Sequence, residues 1–321
     1  MSVRVGFIGT GKIANRHIEK LTRIKEVKFV SFCDVVQEKA ERLAQKYGGR
    51  AYTDHSEMLD KERLDAVYIC LPPFAHTDQE ILAAEKGINL FIEKPIALSL
   101  EKARQINEVI EKAGVISSVG YVYRYSDIVN RAKEEIDGKK IALVLGYYLC
   151  SMPYPHWWRV KDASGGQIVE QTTHIFDLAR YFVGEVDRVY AQRSQGLMND
   201  VENYSVDDAS CVSLHFKSGT IGNISSSCLL KKGGHWGIRF ISKDLEVNLH
   251  LSSHLLSINS EKEIKIRSSQ DPYQQENQAF IEAVKKKDPT KIKSPYFDAL
   301  KTLELTLAAN ASLEKEEVIF L

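Results

Sequence analysis

The run Val3-Arg4-Val5-Gly6-Phe7-Ile8 is continuously β-rich and passes without a break into Gly9-Thr10-Gly11-Lys12-Ile13-Ala14. Ala14, Ile18 and Leu21 then recur at helical spacing. A strand, a glycine turn and a helix in that order leave few folds open. The pattern G-x-G-x-x-G/A lets the chain turn tightly and brings backbone N–H groups against a pyrophosphate, while the following helix adds its positive end. Glycine turns between strand and helix are common, but here the context is right on both sides. Gly9, Thr10, Gly11, Lys12 and Ile13 are therefore candidates for holding a dinucleotide.

A second strand, Val27–Cys33, ends at Asp34, 20 residues after Ala14. An acid at that offset accepts hydrogen bonds from the ribose hydroxyls, and its charge repels a 2′-phosphate. No arginine stands nearby in sequence to reverse the preference, so NAD is favoured over NADP; an arginine from elsewhere would reverse it, and Asp34 judged alone also reads as a solvated acid capping the next helix. A further strand, Asp65–Cys70, leads to Leu71, Pro72 and His76, a loop expected over the nicotinamide half of the cofactor; His76 is equally readable as an early helix residue. Asn89-Leu90-Phe91-Ile92 is a short apolar strand that stops abruptly at Glu93-Lys94-Pro95. Ligands of open α/β sheets bind at the carboxyl ends of the strands, so Lys94 is expected to face them. Helical patterns at 77–86 and 100–112 alternate with these strands and with 115–119. The alternation predicts a doubly wound parallel sheet.

At 321 residues the chain suits two domains, expected as a Rossmann domain over 1–121 and a second domain over 122–321. Forty-three basic residues balance forty-three acidic ones, which leaves no global field for nucleic acid or an anionic membrane. No apolar run approaches a spanning length, and the N-terminus shows no leader pattern. Five cysteines without a C-x-x-C read as reduced thiols of a cytoplasmic protein, with no disulfide frame or metal site expected.

Beyond about residue 120 the pattern changes. Ile141–Tyr148 reads as a strand, and alternating apolar residues at Val212, Leu214 and Phe216, at Trp236, Ile238 and Phe240, and at Leu245, Val247, Leu249 and Leu251 indicate an antiparallel open sheet in an α+β domain. Met152–Arg159 is an aromatic-rich loop, and Leu300, Leu303, Leu307 and Ala311 mark a C-terminal helix. If the chain is helical from Val169, Glu170, His174 and Asp177 share a face, so that an imidazole stands between two acids. Such a histidine accepts a proton near neutral pH; a histidine packed in a domain interface fits the spacing equally well.

Taken together, Gly9–Ala14, Asp34, Leu71-Pro72-Pro73, Glu93-Lys94-Pro95 and Gly120-Tyr121-Val122-Tyr123-Arg124-Tyr125 resemble the Gfo/Idh/MocA family of NAD(P)-dependent oxidoreductases. The resemblance implies hydride transfer between nicotinamide and a secondary alcohol of a sugar, an inositol or a related polyol, in a homodimer or homotetramer. It aligns His174 with the family's catalytic histidine and makes Lys94 the group that hydrogen-bonds the same hydroxyl; a lysine beside a glutamate is ordinarily protonated, which suits that electrostatic role. Glu93, Lys94 and Arg124 join the cofactor-binding residues, and Glu170 joins Lys94 and His174 as a candidate catalytic residue. Tyr123, Trp158, Arg159 and Glu170 join Lys94 and His174 as candidates for substrate binding, although Arg124 and Arg159 could each simply pair with a nearby acid. Glu170 stands where the family has aspartate, and Thr172 where it has glycine, changes that bear on substrate more than on reaction type. An NAD-retaining glycosidase and a non-catalytic NAD-binding regulator are the competing readings.

Overall fold

The computed structural model describes residues 2–321, which divide into two compact units: residues up to Val122 with Pro272–Leu300, and Tyr123–Asp271 with Lys301–Leu321. The first boundary lies one residue from the expected 121/122. The later crossings were not expected, and packing explains them.

The first unit is a six-stranded parallel sheet built from β1 (Val3–Ile8), β2 (Val27–Cys33), β3 (Arg50–Tyr52), β4 (Ala66–Ile69), β5 (Asn89–Ile92) and β6 (Ser117–Val119), in the spatial order β3-β2-β1-β4-β5-β6. Such sheets are covered on both faces, and the inner strands read accordingly: every residue of β4 is buried. Phe7, Tyr68 and Phe91 stack in a row across β1, β4 and β5, with centroids 4.9 and 4.6 Å apart. Phe280, from the helix Pro272–Lys286, sets its ring edge-on to both Tyr68 and Phe91 at 5.5 Å. Phe280, Ile281 and Val284 are buried in this core. Burying side chains of this kind contributes about 1.5–3 kcal/mol each, and this is why residues 272–300 return to the first unit.

The register aligns the strands' carboxyl ends. Ile8 pairs with Cys33 and with Ile69, Ile69 pairs with Ile92, and Ile92 with Val119. Gly9, Asp34, Cys70, Glu93 and Gly120, each the next residue along, therefore form one edge. A cavity of about 1260 Å³ lies at the opposite edge, lined by Arg4, Lys28, Asp65, Asn89 and Ser117 among others. It faces the amino ends of the strands, the wrong end for a ligand of an open α/β sheet, and its Arg4 is already engaged by Asp65 at 2.8 Å.

The second unit carries nine strands: β7 (Leu143–Ser151), β8 (Val186–Ser194), β9 (Ala209–Phe216), β10 (Ile221–Ser227), β11 (Leu229–Ser242), β12 (Leu245–His250), β13 (Leu255–Asn259), β14 (Glu263–Arg267) and β15 (Ile319–Phe320). Their order is β14-β13-β12-β11-β7-β10-β9-β8-β15. All neighbours are antiparallel except β7 and β10. The alternation read from sequence appears as one buried face: along β7, Val144, Gly146, Tyr148 and Cys150 point into a core shared with Phe176, Leu178 and Phe240. No described helix is long and apolar enough to cross a membrane.

Candidate active site

Gly9 has φ of +83°, and a Cβ there would lie 2.4 Å from the Cys70 carbonyl oxygen. Only glycine makes this turn. Gly11 faces open space, with nothing within 4 Å of an added Cβ. The helix Lys12–Leu21 that follows has no side-chain cap, so the N–H groups of its first turn are left to an anion. Ala14 is fully buried, which requires a small residue at the third fingerprint position. Lys12 is exposed and Ile13 half-buried at the start of the same helix.

Asp34 ties the end of β2 to this turn. One carboxylate oxygen accepts the Thr10 N–H at 2.9 Å and the Thr10 hydroxyl at 2.8 Å; the other accepts the Val36 N–H at 3.0 Å. Burial pushes the carboxyl up, but these bonds outweigh it and hold the group below its ordinary value. The acid is therefore charged where a 2′-phosphate would be repelled. The open approach at Gly11, the uncapped helix end and the charged Asp34 fit a bound NAD, which Gly9, Gly11 and the first turn would hold by its pyrophosphate.

Leu71 and Pro72 are half-buried beside the turn, the Leu71 side chain standing 3.0 Å from the position of a Gly9 Cβ. His76 is turned inward, where its Nδ1 is bonded to Glu80. Burial pushes the imidazole down, but the Glu80 charge and hydrogen bond outweigh it and raise the group above its ordinary value.

Glu93 is buried. One of its carboxylate oxygens lies 2.8 Å from His17 Nε2, and the other accepts the Lys94 N–H at 3.2 Å. Gly120 closes on this carboxylate so tightly that a Cβ would lie 2.9 Å from it. Lys94 is half-buried, and its peptide bond to Pro95 is cis. His17 was not anticipated as part of this edge. The signal was present, since His17 sits on the helix stripe of Ala14, Ile18 and Leu21, all buried.

In the second unit, the helix expected to run on from Val169 is interrupted. One helix covers Gly166–Glu170 and the next begins at Thr173. Thr172 N–H bonds to the Gln167 carbonyl at 2.8 Å, five residues back, which widens the turn. Glu170, His174 and Asp177 are consequently separated in their partners. Glu170 accepts the Trp158 indole N–H at 2.7 Å. Asp177 accepts two bonds from Arg124, at 2.8 and 2.6 Å, and one from the Thr302 hydroxyl at 3.1 Å. Arg124 thus carries the simplest of the readings offered for it, an acid nearby, and its guanidinium also lies over the Tyr181 ring at 4.7 Å. The imidazole of His174 meets the Tyr123 ring edge-on at 5.2 Å, and the Tyr123 hydroxyl accepts the Trp236 indole N–H at 2.6 Å. Trp236 in turn stacks on Tyr148 at 5.0 Å. Thr172, in place of glycine, is fully buried. Trp158 is a core residue with one polar contact, whereas Arg159 is half-buried with His156 Nδ1 2.5 Å from its guanidinium. Burial pushes the Cys33 and Cys150 thiols up to about 12, which excludes either as a thiolate nucleophile.

The doubly wound sheet with its dinucleotide turn and the largely antiparallel α+β unit each match a part of one known family. Residues 3–121 match the Gfo/Idh/MocA oxidoreductase family with its NAD-binding Rossmann fold, and residues 131–247 match the family's C-terminal domain. The chain is 28% identical to a myo-inositol 2-dehydrogenase of Thermotoga maritima over 99% of its own length and 98% of that protein's. It is 31% identical to an NAD(+)-dependent scyllo-inositol 2-dehydrogenase of Bacillus subtilis, over 70% and 67% of the two chains. A crystal structure of a probable dehydrogenase from Thermotoga maritima superposes with a TM-score of 0.84 at 27% identity, covering 99% and 98% of the chains. The chain belongs to the Gfo/Idh/MocA family: it is an NAD(P)-dependent dehydrogenase, and its cofactor is NAD.

Proposed function

We propose that the protein oxidises, reversibly, a ring secondary alcohol of an inositol or a closely related sugar. The observation that carries the substrate class is the likeness to inositol dehydrogenases, which in one case runs along nearly the whole of both chains. NAD supplies a two-electron acceptor for the carbinol hydrogen. The chain's own groups handle the proton and the charge. His174 takes the hydroxyl proton, and its edge contact with Tyr123 and the bond from Trp236 hold that part of the site in one orientation. Lys94 hydrogen-bonds the same oxygen and stabilises the negative charge that develops on it. Glu170, kept in place by the Trp158 indole, supplies a carboxylate for substrate hydroxyls, and Arg159 and the polar tip of Tyr123 complete the recognition. Arg124 serves the site by anchoring Asp177, one turn along from His174.

The test is NADH formation with a panel of inositols, aldoses, sugar acids and amino sugars. An inositol is expected to react. His174→Ala is expected to lose about 10²–10⁴-fold in turnover, and Lys94→Ala about 10²–10³-fold, with NAD still bound. Full turnover in either variant overturns that residue's role. Sugar release without net NADH would move the activity to the hydrolytic alternative, and bound NAD without turnover of any kind to the regulator.

A further inference from the structure

The Glu93 carboxylate, immediately before Lys94, is held by residues far apart in the chain. His17 Nε2 meets one oxygen at 2.8 Å, the Lys94 N–H meets the other at 3.2 Å, and Gly120 presses against the group. His17 is itself fully buried and is held from behind: its Nδ1 lies 2.9 Å from the amide nitrogen of Asn277, which also donates to the Tyr273 carbonyl at 2.7 Å. The Asn277 side-chain oxygen lies 3.2 Å from the same Nδ1, so the amide holds this edge of the ring while Nε2 faces Glu93.

Tyr273, Asn277 and the neighbouring Glu276 all come from the helix Pro272–Lys286, the segment that returns to this unit after residue 271. We infer that His17 and Asn277 are positioning residues for the dehydrogenase reaction: acting through Glu93, they fix the backbone that presents Lys94 to the alcohol oxygen. This rests on the role proposed for Lys94 above.

Glu276 supports the assignment. It is fully buried, and neither of its carboxyl oxygens has a hydrogen-bond partner. Burial first, and then the charge of Glu93, push it well above the ordinary carboxyl value. Glu276 is therefore driven towards its neutral form beside the network, and the carboxylate that His17 and the Lys94 N–H contact is that of Glu93. A network that served packing alone would be met as well by apolar residues.

The experiment uses the full-length chain with NAD and myo-inositol. His17→Ala is expected to lower kcat by about ten- to a hundredfold, on the scale of a small misplacement of a reacting group, with KM for NAD changed by less than about threefold. His17→Gln retains an N–H donor and is expected to recover most of the loss. In a Glu93→Gln background, His17→Ala is expected to cost less than about twofold more, because residues acting through one partner are non-additive. Fully additive losses, or an unchanged kcat, overturn the inference. Should His17→Ala not fold, Asn277→Ala is expected to lower kcat in the same way but less.

A readout free of substrate accompanies these: the rate of Lys94 acetylation by dilute acetic anhydride, compared with the exposed Lys28 in the same sample by peptide mass spectrometry. The ratio is expected to shift in His17→Ala and return in His17→Gln; a constant ratio overturns the inference. Lys94→Ala separates the two ideas. If it retains turnover, the catalytic reading fails; if it is inactive while His17→Ala is fully active, only the positioning role fails.

Discussion

Glu93 and Asp177 are both buried acids, and each stands close in sequence to a residue assigned to the chemistry, Lys94 in one unit and His174 in the other. Their partners differ. Asp177 meets a permanently charged guanidinium in a two-pronged contact, with a hydroxyl as a third donor. Glu93 meets an imidazole and one peptide N–H, with a second carboxyl, Glu276, close by. The first arrangement ties the acid to a cation that stays charged at any working pH. The second places a carboxylate directly before Lys94, the residue proposed above to meet the alcohol oxygen. Similar burial therefore anchors a helix in one place and, on the inference above, positions Lys94 in the other.

Removing one partner separates the two most strongly. Arg124→Ala leaves Asp177 charged and buried, and is expected to cost about 3–5 kcal/mol of stability, read as a fall in Tm. Arg124→Met combined with Asp177→Leu is expected to recover most of that loss. A single variant that melts like wild type would break the comparison. Glu93→Gln, which removes charge but keeps shape, is expected to act the other way round: Tm nearly unchanged, and kcat lower by about a hundredfold, equivalent to about 2.7 kcal/mol in the barrier. A Tm loss with normal kcat would make Glu93 another anchor.

A subtler effect is expected for Glu276→Gln. Because the folded-state value of Glu276 is raised above the ordinary 4.5, its contribution is complete below pH 4.5 and is lost as the pH rises through the folded value. Between those limits wild-type stability falls by about 1.4 kcal/mol per pH unit from this group. The glutamine variant is expected to lack that component of the slope, so its advantage over wild type grows with pH in denaturant titrations. Parallel pH profiles would mean that Glu276 titrates alike in the folded and unfolded chain and would remove it as support for the Glu93 network.

Much of the cofactor end was legible because the constraints there are local. A glycine required at φ +83°, a small residue at Ala14 and an acid closing the second strand are each decided by a few neighbouring atoms, and each appears in the sequence at a set spacing. The parallel sheet followed from strand-helix alternation, and the antiparallel one from alternating burial. The helix expected through Glu170, His174 and Asp177 was less legible, since its periodicity is sound on either side of a widened turn at Thr172 that no local pattern announces.

What the sequence determined by itself was therefore the two-unit α/β and α+β architecture, the dinucleotide turn, NAD as the cofactor, and the presence of Lys94 and His174. Tertiary structure decided which acid meets which partner. Arg124 finds Asp177, Trp158 finds Glu170, and His17 and Asn277, 260 residues apart, close on each other beside Glu93. The physical reason is that a buried charge must be satisfied by whatever donors packing brings within about 3 Å. Spacing along the chain carries no record of which distant donors those will be.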